Sequence, residues 1–303
     1  KPAVVYLALR SGAPIIPHYI DPHYFKKQRT RIIMGKPIYL RDYCDEENPS
    51  REKVQELCEM LRKKTNELKR KLELYKKYRT QDTLNPKAIV FDIVRFILMF
   101  STPIVFPTKF HYVEGSSKKD RRIKGRGLIV SKHYNFFDPT ILIMHYLARR
   151  SHVVIAQEMY EKHPWFFKNV FTIEYRRVDN ASDPKCFLDV INILKADGVV
   201  GIYPEGHINN EHLSTLHDGA SYFALMSNSP IYVYYMLKPF KPFHFNHAMI
   251  GKTIYPEQIF GKDNLKNKEN IPLLTSIIKD EFLSLENEGK KYTKKSKNNE
   301  KND

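Results

Sequence analysis

The sequence predicts an α/β protein with a mostly parallel sheet flanked by helices, preceded by the C-terminal half of a second copy of that fold. Three observations carry this. Apolar runs of strand length alternate with helical patterns between residues 128 and 250, which favours parallel strands joined by crossover helices. Asp183-Pro184 is a helix start, with an N-cap side chain followed by proline in the first turn. A displacement of 216 residues also superimposes the beginning of the chain on its later part without a gap, so that Tyr6, Leu9, Pro14, Ile15, Tyr19, Gly35 and Ile38 recur as Tyr222, Leu225, Pro230, Ile231, Tyr235, Gly251 and Ile254.

In chain order, residues 1–11 read as the end of a helix, and Ala13–Ile20 and Arg31–Met34 as strands. Pro49-Ser50 opens a helix whose Val54, Leu57, Leu61, Leu68 and Leu72 fall at helical spacing. Asp82–Pro86 is a turn-rich boundary. Ala88–Phe106 is apolar apart from Asp92 and Arg95 and is interrupted by Pro103. Its longest uncharged run, Phe96–Thr108, is shorter than the roughly 20 residues a spanning helix needs. A core helix and a helix lying in a membrane interface therefore compete for this segment, with a true span a third option. Further strands are expected at Leu128–Ser131, Val153–Ala156, Phe171–Glu174, Val199–Tyr203, Ile231–Met236 and Ala248–Ile250, and helices at Pro139–Arg149, Pro184–Ala196 and Gly219–Ser227. The domain boundaries that follow are 1–80 for the half copy, 81–288 for the complete domain and 289–303 for a disordered basic tail. The chain begins with Lys rather than Met, and the expectation is a fragment of a longer protein with two tandem domains, the second complete.

The 303 residues are 42% hydrophobic, enough for a packed core, and carry a net charge of +16. Such a balance favours nucleic acid, an anionic membrane surface or a phosphorylated ligand. Zinc-knuckle, helix-turn-helix and RNA-binding signatures are missing, so nucleic acid is the weaker partner. Much of the excess lies in terminal or linker segments such as Lys290–Lys301, where a solvated tail explains it equally well. Cys44, Cys58 and Cys186 show neither metal spacing nor a disulfide framework, which points to a reducing cytoplasm.

Two short stretches carry chemistry. In Lys132-His133-Tyr134-Asn135-Phe136-Phe137-Asp138-Pro139, a histidine and an aspartate stand five positions apart after an apolar strand. Tyr203-Pro204-Glu205-Gly206 follows another. In such sheets, sites gather at the carboxyl ends of strands. A neutral imidazole oriented by a carboxylate can take a hydroxyl proton near neutral pH. A second carboxylate on a later strand end suggests acyl transfer without a protein nucleophile, and no Gly-x-Ser-x-Gly elbow is present. In a continuous helix His133 and Asp138 would be about 140° apart, so they meet only if the intervening residues turn. Asp138 also reads as an N-cap before Pro139, and Pro-Glu-Gly as a surface turn.

Together these blocks resemble the glycerophosphate acyltransferase superfamily, and within it the lysophosphatidic acid (1-acylglycerol-3-phosphate) acyltransferases. The resemblance covers roughly residues 85–285. That family shows His-x4-Asp, a block ending in Arg, a Pro-Glu-Gly block and an apolar block containing Pro. Here these correspond to His133–Asp138, Arg176 or Arg177, Tyr203–Gly206 and Pro230–Tyr234. With the repeat, the resemblance points to a tandem-domain bacterial member.

The resemblance implies an O-acyltransferase moving a fatty acyl group from acyl-CoA or acyl-carrier protein to the free hydroxyl of 1-acylglycerol-3-phosphate, giving phosphatidic acid in phospholipid synthesis. No cofactor or metal is implied. His133 would be the general base and Asp138 its partner. Arg177, or Arg176 if the alignment slips, would hold the acceptor phosphate. Within the Pro204-Glu205-Gly206 turn, Glu205 would hold the acceptor and Gly206 would allow close backbone approach. Pro230 would shape the acyl site. An anionic membrane surface is the implied partner, and the cytoplasmic face of the cell membrane, peripheral or monotopic, the implied location. The family's Thr or Ser and Arg after Pro-Glu-Gly are replaced by His207 and Ile208, and a second proline by Val233. Lys132, His207 or His217 could substitute for the missing Arg. The acceptor could equally be another lysolipid or an amino-lipid, and a non-catalytic lipid-binding module is the alternative of a different class.

Overall fold

A computed structural model describes residues 2–22, 30–78, 88–135, 138–139, 142, 149–170, 172–176, 183–208, 213 and 215–299, with side chains up to 292. The chain divides into two compact units, Lys1–Lys77 and Tyr78–Asp303. The boundary expected at 82–86 and most of the helix expected at 139–149 lie outside the described residues.

The first unit holds α1 (Pro2–Ser11), β1 (His18–Asp21), β2 (Arg31–Met34) and the long α2 (Arg51–Tyr78). Val5, Leu9, Leu40, Val54 and Leu57 form its small core. The strand expected from Ala13 begins only at His18. Pro14 and Pro17 lack the amide hydrogens a ladder needs, and the earlier part makes a single antiparallel bridge, Ile15 to Ile38.

The second unit contains α3 (Ile89–Val105), β3 (Thr108–Tyr112), β4 (Gly127–Ser131), β5 (Ser151–Ala156), α4 (Gln157–Lys162), α5 (Pro164–Asn169), β6 (Thr172–Tyr175), α6 (Pro184–Lys195), β7 (Val199–Ile202), α7 (Gly219–Ser227), β8 (Ile231–Met236), β9 (Asn246–Ile250), α8 (Pro256–Phe260) and α9 (Asn270–Asn299). Seven strands form one sheet in the order β3-β9-β8-β4-β7-β5-β6. Every pairing is parallel except β8 with β9. Strand β4 is buried along its whole length and sends Leu128 and Val130 to one core and Ile129 to the other. That is the period-2 alternation of a strand covered on both faces. One core is completed by Val190 and Leu194 of α6, Phe223 and Ala224 of α7, and Leu274, Ile278 and Phe282 of α9. Leu142 helps to fill the other, and Leu98 of α3 packs against that cluster. The Asp183 side chain caps α6 by accepting from the amides of Lys185 and Cys186.

Two differences from the sequence reading have physical causes. Strand β3 was not expected; its Thr-Lys-Phe-His-Tyr alternation suits an edge strand, but it follows the apolar α3 directly. Residues 289–299 continue α9 rather than forming a disordered tail. Two close contacts hold this end of the helix. Tyr292 stacks on His111 with ring centroids 3.6 Å apart, and a Cβ at Gly289 would lie 2.0 Å from the Leu237 side chain.

The expected interior charges of α3 are also accounted for. Asp92 accepts from the almost fully buried Arg150 at 3.0 and 2.7 Å and pairs with Arg95. The helix turns Ile89, Ile93, Phe96, Ile97, Phe100 and Ile104 outward. Among the described residues, no helix is long and apolar enough to cross a membrane.

The hairpins of the two units share one register. His18–Met34, Tyr19–Ile33 and Ile20–Ile32 pair in β1–β2; displaced by 216 residues, these become Tyr234–Ile250, Tyr235–Met249 and Met236–Ala248, the pairs of β8–β9. The isolated bridges Ile15–Ile38 and Ile231–Ile254 obey the same displacement. So do the bonds Gly35 N to Pro17 O, at 2.8 Å, and Gly251 N to Val233 O, at 3.0 Å.

Candidate active site

Strands β4, β7 and β8 are mutually parallel neighbours, so their carboxyl ends share one edge of the sheet. His133 lies two residues beyond β4 and Glu205 three beyond β7. The chain does not continue β4 into a helix at once. It turns, with the Asp138 amide donating to Asn135 O at 3.2 Å. That turn removes the angular separation a continuous helix would impose. His133 Nδ1 and Asp138 Oδ2 are 3.0 Å apart, and the same oxygen accepts from the amides of Tyr134 and, at 2.7 Å, Asn135. Asp138 is 1% exposed. Because a carboxylate with three such contacts acts as acceptor, it fixes the proton of neutral His133 on Nδ1 and leaves Nε2 as the free lone pair. The pattern also reconciles two sequence readings: Asp138 caps backbone amides and holds His133 with one oxygen.

The imidazole stacks on the Tyr203 ring, with centroids 4.3 Å and planes 21° apart. Burial holds the Tyr203 hydroxyl well above its ordinary pKa, and the Tyr203 Oη has no hydrogen-bond partner among the described residues. The turn after Tyr203 is closed by the Gly206 amide donating to Tyr203 O at 3.0 Å. Gly206 has φ +71°, in the left-handed region, and a Cβ there would come within 3.1 Å of the His217 ring. The His217 amide in turn donates to Pro204 O at 2.8 Å. Pro204 and Glu205 are buried; His207 is exposed, and its Nδ1 donates to Glu205 O at 2.8 Å.

Lys132, adjacent to the histidine, is buried too, with its ammonium 4.7 Å from the centre of the Tyr134 ring. Burial pushes its pKa down, against the opposing pull of Glu205 and Glu286. Its charge thus lies near the carboxylates of Glu205 and Glu286. The same burial pushes the Tyr134 hydroxyl up to about 12. The burial of Lys132 and the stacking of Tyr203 on His133 are features of these blocks that motif spacing does not mark.

Arg177 lies outside the described residues. The guanidinium of Arg176 forks onto Glu174, at 2.8 and 3.1 Å, and its amide donates to Asp183 at 3.1 Å. Pro230 directly precedes β8, and its carbonyl accepts from Leu128 at 2.9 Å. Among the described residues, no group of three or more His, Cys, Asp or Glu side chains could hold a metal ion.

The sequence of residues 111–237 matches the family model described as Acyltransferase. Comparison with curated proteins gave no match. Among solved structures, the chain resembles the 1-acyl-sn-glycerophosphate (LPA) acyltransferase PlsC from Thermotoga maritima, with 11% identity over 76% of this chain and 97% of that one and a TM-score of 0.49. The matched segment spans His133, Asp138, Arg176, Arg177, Pro204, Glu205, Gly206 and Pro230.

Proposed function

We propose that this domain transfers a fatty acyl group from acyl-CoA or acyl-carrier protein to the free hydroxyl of 1-acylglycerol-3-phosphate, yielding phosphatidic acid. The observation that carries this reading is the His133–Asp138 contact at the carboxyl end of β4. His133 Nε2 takes the hydroxyl proton as the oxygen attacks the thioester carbonyl. The carbon–sulfur bond breaks as the new ester bond forms, and the proton on Nε2 passes to the departing thiolate. Asp138 stabilises the transient imidazolium and holds the ring in orientation. Glu205 and Gly206 form the acceptor side of the cleft, with a phosphate-binding role assigned to Arg177, or to Arg176 after it leaves Glu174.

Ile208, in place of the family's arginine, favours a second reading within the same chemistry: an acceptor other than lysophosphatidic acid. The exposed apolar residues of α3 support peripheral or monotopic attachment to a membrane, on its cytoplasmic face. The shared hairpin register supports reading residues 1–80 as the C-terminal half of a second acyltransferase-like domain.

The test is acyl transfer from both thioester donors to lysophosphatidic acid and to a panel of lysolipids, comparing wild type with His133→Ala. The expected result is a loss of at least about 10²-fold. Activity unchanged in the variant would exclude His133 as the base. Transfer confined to another acceptor would select the second reading.

A further inference from the structure

The β8–β9 connection, Leu237–Phe245, has the sequence Leu-Lys-Pro-Phe-Lys-Pro-Phe-His-Phe. Its three phenylalanines divide between interior and solvent. Phe240 is buried and meets Phe106 edge-on, with centroids 6.3 Å apart. Phe243 and Phe245 are 72% and 82% exposed. This exposure is built into a braced loop. The Asn246 side chain accepts from Lys241 N at 2.9 Å and donates to Lys241 O at 3.1 Å and His244 O at 2.8 Å. Phe243 is held at φ +59°, where a bulky side chain is uncommon, and its amide donates to Val105 O, at the end of α3, at 2.6 Å.

The loop's position links it to the site. Tyr234 of β8 pairs with Ser131 of β4, so the chain leaves β8 at the edge from which Lys132 and His133 leave β4. Thr108 pairs with Asn246, which brings the end of α3 to that same edge. Near that end α3 also turns Phe100 and Ile104 outward. Within the two adjoining segments the charge has one sign: Lys109, Lys238 and Lys241 are present, and neither Phe96–Val113 nor Leu237–Pro256 contains an acidic residue. Exposed phenylalanines with lysines in the same loop suit the boundary between acyl chains and anionic headgroups, rather than a second polar protein surface.

We propose that Leu237–Phe245 is a bilayer anchor, inserting Phe243 and Phe245 among anionic lipids beside the end of α3 and setting the His133 edge of the sheet against the membrane. This deepens the membrane reading above and stands apart from the catalytic one, since binding is measured without turnover.

The experiment is co-sedimentation of the full chain with phosphatidylcholine vesicles made with and without phosphatidylglycerol, comparing wild type, F243S/F245S and K238E/K241E. Wild type should bind the anionic vesicles preferentially. The phenylalanine pair should lose at least about tenfold in partitioning, and the lysine pair should lose the preference for phosphatidylglycerol. Thermal melting of each variant reports whether the domain remains folded. As a check that does not depend on deleting the side chains, Phe245→Trp in a Trp165→Phe background should show blue-shifted emission with anionic vesicles and quenching by brominated lipid. Unchanged partitioning of F243S/F245S, absence of wild-type binding, or a solvent-like Trp spectrum with vesicles would each overturn the proposal. So would a wild-type dimer that F243S/F245S dissociates while vesicle binding stays intact. Transfer to a short-chain, monomerically soluble acceptor separates the two readings: its persistence in F243S/F245S alongside lost binding locates the defect at the membrane.

Discussion

Replacing Asp138 by Asn keeps the volume of a buried side chain and removes its charge. One oxygen of Asp138 serves the His133 ring and two backbone amides. A charge-assisted hydrogen bond is worth about 1 kcal/mol more than its neutral counterpart. With the amide oxygen turned to the same three donors, Asp138→Asn should therefore destabilise the domain by about 3 kcal/mol, a fall in Tm on the order of 6–12 °C for a domain of this size. The catalytic cost is separate. The imidazolium formed on proton transfer loses its counter-charge, so kcat should fall by roughly 10²–10⁴ at unchanged temperature. Thermal melting and steady-state acyl transfer, measured well below the variant's Tm, distinguish the two effects. A Tm lowered as expected with kcat within about threefold of wild type would reduce Asp138 to a cap of the turn and refute its catalytic partnership with His133.

Gly206→Ala should impair transfer and cost about 1–3 kcal/mol, because the residue must keep φ +71° while its new methyl group meets the His217 ring; melting and acceptor KM check this. Tyr203→Phe removes a buried hydroxyl that has no partner among the described residues while keeping the ring under His133, so Tm should hold or rise by an amount corresponding to about 1 kcal/mol. Arg150→Ala strips Asp92 of its bidentate partner and should lower stability by about 3 kcal/mol, read by melting. The pH dependence should come in part from His111, whose pKa is lowered to about 4 by burial and then by His247, Lys109 and Lys291. The folded state therefore disfavours its proton. The stability His111 contributes is fully present above its ordinary pKa of 6.5 and is lost as pH falls towards 4, so His111→Gln should flatten the dependence of Tm on pH over that window.

The sheet was legible because its strands are apolar runs bounded by turn residues: β2 and β8 begin and end where pattern places them, and Gly127 alone is added to β4. The pair of residues at the end of β4 was legible for a different reason, since Pro139 forces a break that lets His133 and Asp138 meet. Strand β3 was hidden because an edge strand with alternating Lys and His carries little apolar signal. The extension of α9 through 289–299 was hidden because its charge composition is that of a solvated tail, whereas its attachment depends on one missing side chain at Gly289 and one ring at Tyr292. The inward turn of Lys132 was likewise unreadable: nothing in the spacing distinguishes a lysine facing Glu205 and Glu286 from one facing water.

The repeated hairpin gives this chain an internal reference for hydrogen exchange. In β8 the amides that point away from β9 are occupied by β4, through the Leu128–Ile231 to Ser131–Tyr234 ladder. In β1 the equivalent positions belong to a two-stranded sheet. The amides of His18 and Tyr234 therefore share a hairpin position and a register while differing in their other neighbours. Their exchange rates, compared within one sample, would resolve the protection given by a third strand from that given by the hairpin itself.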